Sequence, residues 1–383
     1  MVGGHGRGFS LRLIPRRRLR AFPLKTIHQF VAGFSNGDAI SNEARALRGH
    51  FAAWGCGAAL YCEHRRVLPE LRAEVRDPAD AAAAARPDDV ALLHLSIGSD
   101  VNDLFAALPC RKAVIYHNIS PPDFYRGVND ATARCLARGR EQAARLAGAA
   151  EVALADSRYN AAELEGWGYR NVGVLPLVLD FTALDAAPDR AVRRAYDDGR
   201  LTALFVGRCA PNKRIEDLLA AFYYLQRYIE PGARLLHVGS AAGTERYQAL
   251  LWSRSRDLGL SDYRPVGAAP PRALLAYYRR ADVFLCLSEH EGFCIPLLEA
   301  MHLGVPVLAY AAGAVEETMD GAGVLFREKR FDLIAETIAR VTRDAALRRA
   351  IIAAQHARIA RYRAADPAAL LRRALAPLLG RAP

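Results

Sequence analysis

The stretch Ser288-Glu289-His290-Glu291-Gly292-Phe293-Cys294-Ile295-Pro296-Leu297-Leu298-Glu299-Ala300-Met301 is the part of this chain that decides its fold. The apolar run at 283–287 just before it reads as a buried strand. Gly292 permits an unusual backbone angle or a close ligand approach. Pro296 suits the first turn of a helix, expected over 296–303. Strand, glycine-bearing loop and helix N-terminus in succession are the unit of a parallel α/β sheet. Such a helix start offers free N–H groups and partial positive charge, which suit a diphosphate. Glu299, one turn in, is then placed for a ribose diol, and Glu291 for sugar hydroxyls. Either glutamate alone would read more simply as a solvated loop or helix residue.

The same alternation extends both ways. Strands are expected at 27–32, 58–62, 90–95, 113–116, 152–155 and 172–176, with helices at 39–54 and 131–148. Asp156-Ser157 is placed to cap a further helix. Residues 183–199 are polar and alanine-rich, with Pro188 and paired Asp197-Asp198, and read as a linker. A second run follows, with strands at 201–206, 234–238 and 305–309 and helices at 215–228, 272–280, 331–362 and 368–379. The organisation expected is a basic extension at 1–25, a Rossmann-like domain at 26–182, the linker, a second Rossmann-like domain at 200–362, and a C-terminal helix at 363–383 returning toward the first. The two domains would face a central cleft at their strand C-terminal ends.

At 383 residues the chain has the length of two domains. The net charge of +11 suggests a nucleic acid, an anionic surface or a phosphorylated ligand. Its distribution decides among these. Residues 1–25 hold seven cations and no acid, and residues 345–383 hold eight Arg against Asp366. The rest is close to neutral, so a nucleic acid wrapped on the globular body is not expected. No apolar run reaches the roughly 18–20 residues of a membrane-spanning helix. The Arg residues at 12–20 break any signal-peptide core, and the seven cysteines form no C-x-x-C pair. A cytoplasmic protein with free thiols is expected.

A second loop supports the first. Gly207-Arg208-Cys209-Ala210-Pro211-Asn212-Lys213-Arg214 follows a strand and sets two cations five residues apart. Lysine is scarce here, with only Lys25, Lys112, Lys213 and Lys329 among 52 basic residues. A compact ammonium at 213 is therefore notable.

Together these segments resemble the E-x7-E signature of family-four (group 1) retaining glycosyltransferases, which have the GT-B fold. The resemblance is strong after residue 200 and moderate before it. Cys294 stands where glycine is common, and Arg214 likewise. The resemblance implies an α/β GT-B protein that moves a hexose from a nucleoside-diphosphate sugar to an acceptor hydroxyl. Arg208 and Lys213 would neutralise the diphosphate. Glu291 would orient the sugar, and Glu299 would hold the ribose. Gly207, Gly239, Gly267, Gly292, Phe293, Cys294 and Ile295 would line the donor pocket. The block 304–326, with Glu316, is structural by the same likeness. Gly37, Asp38, His117 and Asn118 would face the acceptor, with His117 also near the reacting sugar. No cofactor and no metal are expected, since no D-x-D pair occurs in the chain. The Arg-rich ends suit a lipid-linked or polysaccharide-precursor acceptor at an anionic membrane surface.

Two other readings compete. A non-catalytic sugar-nucleotide-binding subunit would keep the donor pocket without turnover. Gly33-Phe34-Ser35-Asn36-Gly37 fits the G-x-S-x-G elbow of an α/β-hydrolase with Ser35 as nucleophile. That elbow normally follows several strands, whereas here it follows the first.

Overall fold

The computed structural model describes residues 25–380. The basic extension expected at 1–25 lies almost wholly outside the described residues. The first half contains β1 (Thr26–Val31), α1 (Ala39–Ala53), β2 (Gly57–Tyr61), α2 (Ala81–Ala84), β3 (Val90–Leu95) and α3 (Asp100–Ala107). It continues with β4 (Arg111–Tyr116), α4 (Asp130–Leu146), β5 (Val152–Ala155), α5 (Arg158–Gly166) and β6 (Gly173–Val174). Its six strands are all parallel, in the order β2-β1-β3-β4-β5-β6. Every residue of β3 is buried. A parallel strand covered on both faces reads as such a continuous apolar run.

The span expected as a linker is built rather than loose. It contains α6 (Arg190–Ala195), capped by the Asp189 carboxylate on the Ala191 and Val192 amides. The Asp189 amide in turn donates to the Arg272 carbonyl of the second domain at 2.8 Å.

The second half contains β7 (Thr202–Val206), α7 (Ile215–Tyr224), β8 (Arg234–Val238), α8 (Glu245–Asp257), β9 (Tyr263–Gly267) and α9 (Pro271–Arg280). Then come β10 (Val283–Cys286), α10 (Ile295–His302), β11 (Val307–Tyr310), α11 (Val315–Met319) and β12 (Val324–Phe326). The strand order is β12-β11-β10-β7-β8-β9. Read from the other edge, this is the classic dinucleotide-fold order, with its reversal between β7 and β10. The loops after these two strands therefore flank one crevice, and they are the two segments singled out from the sequence.

The helical span expected at 331–362 is two helices, α12 (Phe331–Arg343) and α13 (Ala345–Ala364). Asp344 divides them because its carboxylate accepts from the Ala346 and Leu347 amides, which starts a new helix. α7 continues into a π-helical turn at Leu225–Ile229.

The chain then crosses back. In α14 (Pro367–Leu379), Leu371, Leu375 and Leu378 are fully buried. They pack with Ile27, Leu47, Phe51, Val90 and Ile115 of the first domain. Several C-terminal arginines are consumed by the fold: Arg348 donates to the Asp282 carbonyl, Arg358 to the Thr318 carbonyl, and Arg361 pairs with Asp320. Among the described residues no helix is long and apolar enough to cross a membrane. All seven cysteines are free.

Candidate active site

A cavity of about 270 Å³ opens between the domains. Ser120 and Tyr125 line it from the first domain; Gly207, Arg208, Lys213, Glu291, Cys294 and Pro296 line it from the second. Lys213 Nζ donates to Glu291 Oε2 at 2.7 Å. Burial alone would lower the pKa of this ammonium, but the Glu291 carboxylate outweighs it and holds Lys213 protonated. The ion pair thus presents a fixed cation and a fixed anion at the crevice. Arg208 is exposed at the end of β7, with one guanidinium nitrogen donating to the Ala242 carbonyl at 3.2 Å.

The loop before α10 follows the path expected of a glycine-rich turn. Cys294 is left-handed, with φ 72 and ψ 66, and caps α10 without a side-chain hydrogen bond. The helix start therefore remains open to a ligand. Arg214 adopts the same backbone region, with φ 49, while pairing with Glu216 and Asp217. Both substitutions of an expected glycine keep the glycine conformation. Ile295 opens the helix, and the buried Phe293 gives its carbonyl to the Thr318 hydroxyl.

Glu299 sits half-buried in α10, and its Oε2 accepts from the Tyr278 hydroxyl at 2.7 Å. Burial pushes its carboxyl up, against that hydrogen bond. Tyr278 was not among the expected site residues. Gly239 has a packing reason to be glycine: a Cβ there would lie 1.8 Å from the Gly207 carbonyl oxygen. Gly267 ends β9 beside it, and the Gly239 amide donates to the Gly267 carbonyl at 2.8 Å.

The acceptor-side residues depart from the expectation in two ways. Asp38 caps α1, accepting from the Ser41 amide at 2.9 Å and the Ser41 hydroxyl at 2.7 Å. Its Oδ2 is occupied by this helix start, which leaves Oδ1 to other partners; Gly37 forms the turn just before it. His117 does not line the cavity. Its side chain is 2% exposed, with Nδ1 on Asp156 at 3.1 Å and Nε2 facing His94 at 2.9 Å. Asn118, left-handed at φ 74, donates to Asn160 of α5 in its own domain at 2.9 Å and lies against Gly292 of the second domain. Glu43 and His94 were not expected as site residues, and Asp156 was expected only as a helix cap, a place that Ser157 takes. They come from separate elements, and no local spacing announces them.

The domains touch across the cleft through the start of α5. The Ser157 hydroxyl donates to the Gly292 carbonyl at 2.8 Å. The Arg158 amide donates to both carboxylate oxygens of Glu317, at 2.8 and 3.0 Å. Asn129 donates to the Gly243 carbonyl at 2.7 Å. Ser35, the hydrolase candidate, lies in the loop after β1, where its amide donates to the Ser41 hydroxyl. Among the described residues no histidine bonds to its side chain.

Two clusters of ligand-type atoms occur, Glu43/His94/His117 and Cys286/Glu291/Cys294. In the first, the facing imidazole nitrogens aim at each other with ring planes 5° apart, the geometry of a shared proton. In the second, Lys213 already occupies Glu291.

Comparison with known proteins gives this geometry a family. Residues 189–358 match the model for glycosyl transferases group 1. The C-terminal domain is a group 1 glycosyltransferase domain. Among curated relatives, a D-inositol 3-phosphate glycosyltransferase of Segniliparus rotundus is 36% identical over 131 residues, 33% of this chain and 29% of the relative. A GDP-mannose-dependent alpha-mannosyltransferase of Mycolicibacterium smegmatis is 37% identical over 131 residues, 33% and 30%. The chain thus spans about a third of the length of these relatives. In fold the likeness runs through the whole molecule. Sucrose-phosphate synthase from Thermosynechococcus elongatus superposes with a TM-score of 0.71 at 18% identity, covering 92% of this chain and 99% of that one. HepE of Anabaena, in complex with UDP and glucose, gives 0.69 at 17%, covering 93% and 99%. The architecture is GT-B.

Proposed function

We propose that this chain is a retaining glycosyltransferase that moves a hexose from a nucleoside-diphosphate sugar to an acceptor hydroxyl, without a metal. The observation that carries the reading is the Lys213–Glu291 ion pair in the interdomain cavity, at the strand-order reversal of a group 1 domain. Arg208, Lys213 and the open start of α10 take the negative charge that grows on the leaving diphosphate. Glu299 binds the ribose through the oxygen that Tyr278 leaves free. Glu291 orients the sugar, and the leaving phosphate accepts the acceptor proton on the same face. Gly37 and Asn118 lie on the acceptor side.

The relatives' names point to GDP-mannose and the HepE complex to UDP with glucose, so both hexose donors are candidates here. A lipid-linked or polysaccharide-precursor acceptor at the cytoplasmic face of an anionic membrane suits the Arg-rich ends.

The test is turnover of GDP-mannose and UDP-glucose by the purified chain, followed as nucleoside diphosphate release. Lys213→Ala is expected to lower turnover by roughly 100-fold or more, the scale of losing one preorganised charge partner. Wild-type turnover in that variant would remove the assignment. Donor binding without turnover in the wild type would favour the non-catalytic subunit.

A further inference from the structure

Behind the acceptor-side strand ends lies a cluster that the transferase reading leaves without a role. Glu43 on α1, His94 on β3, His117 after β4 and Asp156 after β5 meet with side chains no more than 3% exposed. Their hydrogen bonds fix where the protons are. Gln29 donates its amide to the Ala44 carbonyl at 3.1 Å, so its oxygen accepts from His94 Nε2 at 3.0 Å. Asp156 accepts from His117 Nδ1. The two inner nitrogens then face one another at 2.9 Å. Two lone pairs do not face at that distance, so one proton lies between them; with Asp156 ionised and accepting from Nδ1, that proton makes His117 an imidazolium. Glu43 Oε2 lies 3.4 Å from His117 Nε2, and neither Glu43 oxygen has a hydrogen-bond partner. A buried, ionised carboxylate without partners is costly, whereas the neutral acid is far less so. With Glu43 protonated, His117 charged, Asp156 ionised and His94 neutral, the cluster carries no net charge.

The ion pair sits behind the cleft contact. Each of its members is the chain neighbour of a residue touching Gly292: Asn118 follows His117, and Ser157 follows Asp156. We propose that His117 works as an imidazolium paired with Asp156 while Glu43 keeps its proton, and that this neutral cluster positions the β4 and β5 ends against Gly292. Asp156 and Glu43 are thus positioning residues; their effect on turnover rests on the transferase reading, while their charge states do not.

Burial pushes the Asp156 carboxyl up as well, and the His117 imidazolium opposes that push; for Glu43 and His117 the electrostatics run in the same sense as the geometry. Burial pushes the Glu43 carboxyl up to about 8. Burial alone would lower His117, but Asp156 and then Glu43 push it up to about 9. The other titratable groups facing the cluster are Asp38 before α1, His94, held neutral by burial, and Tyr362 of α13, whose hydroxyl donates to the Leu177 carbonyl. Glu43 and His117 both bind their protons more tightly folded than unfolded. The stability they add is complete below their ordinary values and is lost as pH rises through about 8 and about 9.

The test uses the full chain. Histidine titration by NMR and thermal unfolding are followed from about pH 6 to about pH 10 in the wild type, Glu43→Gln and Asp156→Asn. His117 is expected to remain charged at pH 7 in the wild type. Glu43→Gln fixes the neutral form and removes the alkaline inflection near 8 from the stability curve. Asp156→Asn lowers the His117 titration by about one pH unit or more, and lowers kcat more than KM. The proposal is overturned by a neutral His117 at pH 7, by an unchanged alkaline curve in Glu43→Gln, or by one equivalent of bound zinc in the purified chain. Should Asp156→Asn not fold, the wild-type titration and Glu43→Gln still decide it. A chain that transfers no sugar but shows these titrations would refute the transferase reading alone.

Discussion

At the scale of single residues, Gly292 is the position with least tolerance. A Cβ there would lie 2.4 Å from Asn118 Cβ, an atom fixed to the backbone of the other domain. Gly292→Ala is expected to hold the domains apart and cut kcat/KM by about 10-fold or more, while donor binding to the C-terminal domain persists. Asn118→Gly in the same chain removes the opposing Cβ at a residue already at φ 74, so it should recover activity. Steady-state kinetics of the double variant check this; no recovery would mean the clash is not the cause. The sequence reading reached Gly292, Lys213 and Glu291 because each lies in one contiguous loop whose order encodes its geometry. It did not reach Glu43 or Asp156, because their partners come from four elements far apart in the chain. The cap made by Asp38 also had a local sign: Ser41 stands three residues on, at the spacing of a helix start.

At the scale of elements, α1, α4, α7 and α9 were legible, whereas the short α3 was not, although Ser99 caps it and two acids stand in its first turn. α8 was not, since its buried residues Tyr247, Leu251 and Ser255 form a narrow stripe at every fourth position. α14 was legible as a helix, and its partner came only from resemblance; its own sequence says nothing of which domain it covers. Leu375 is fully buried against the first domain. Leu375→Ala is expected to cost about 2–5 kcal/mol, the range for emptying a core leucine site. Denaturant unfolding should show the first domain losing structure earlier, with the C-terminal domain's transition unmoved. Equal loss in both transitions would mean that the two domains unfold as one unit.

At the scale of the whole molecule, the cleft is held partly by the N-terminus of α5. Glu317 places its carboxylate on the Arg158 amide, so a side chain of one domain caps a helix of the other. A negative charge at a helix start is worth about 0.3–1 kcal/mol, up to about 2 kcal/mol when partly buried. Glu317→Ala should therefore shift the molecule toward an open form by about 2- to 5-fold in population, and by up to about 30-fold at the upper limit. Small-angle scattering would read this as a larger radius of gyration, with the difference shrinking as salt rises. An unchanged radius at low salt would assign the closed form to the other contacts.

The return of α14 also bears on how the molecule is made. The first domain's core contains leucines of α14, encoded roughly 200 residues after its last strand. At about 5–20 residues per second, translation leaves that hydrophobic face uncovered for roughly 10–40 s. During this interval the finished sheet offers the surface that Leu371, Leu375 and Leu378 will cover. The nascent chain thus passes through a stage in which the second domain is finished before the domain made ahead of it is complete.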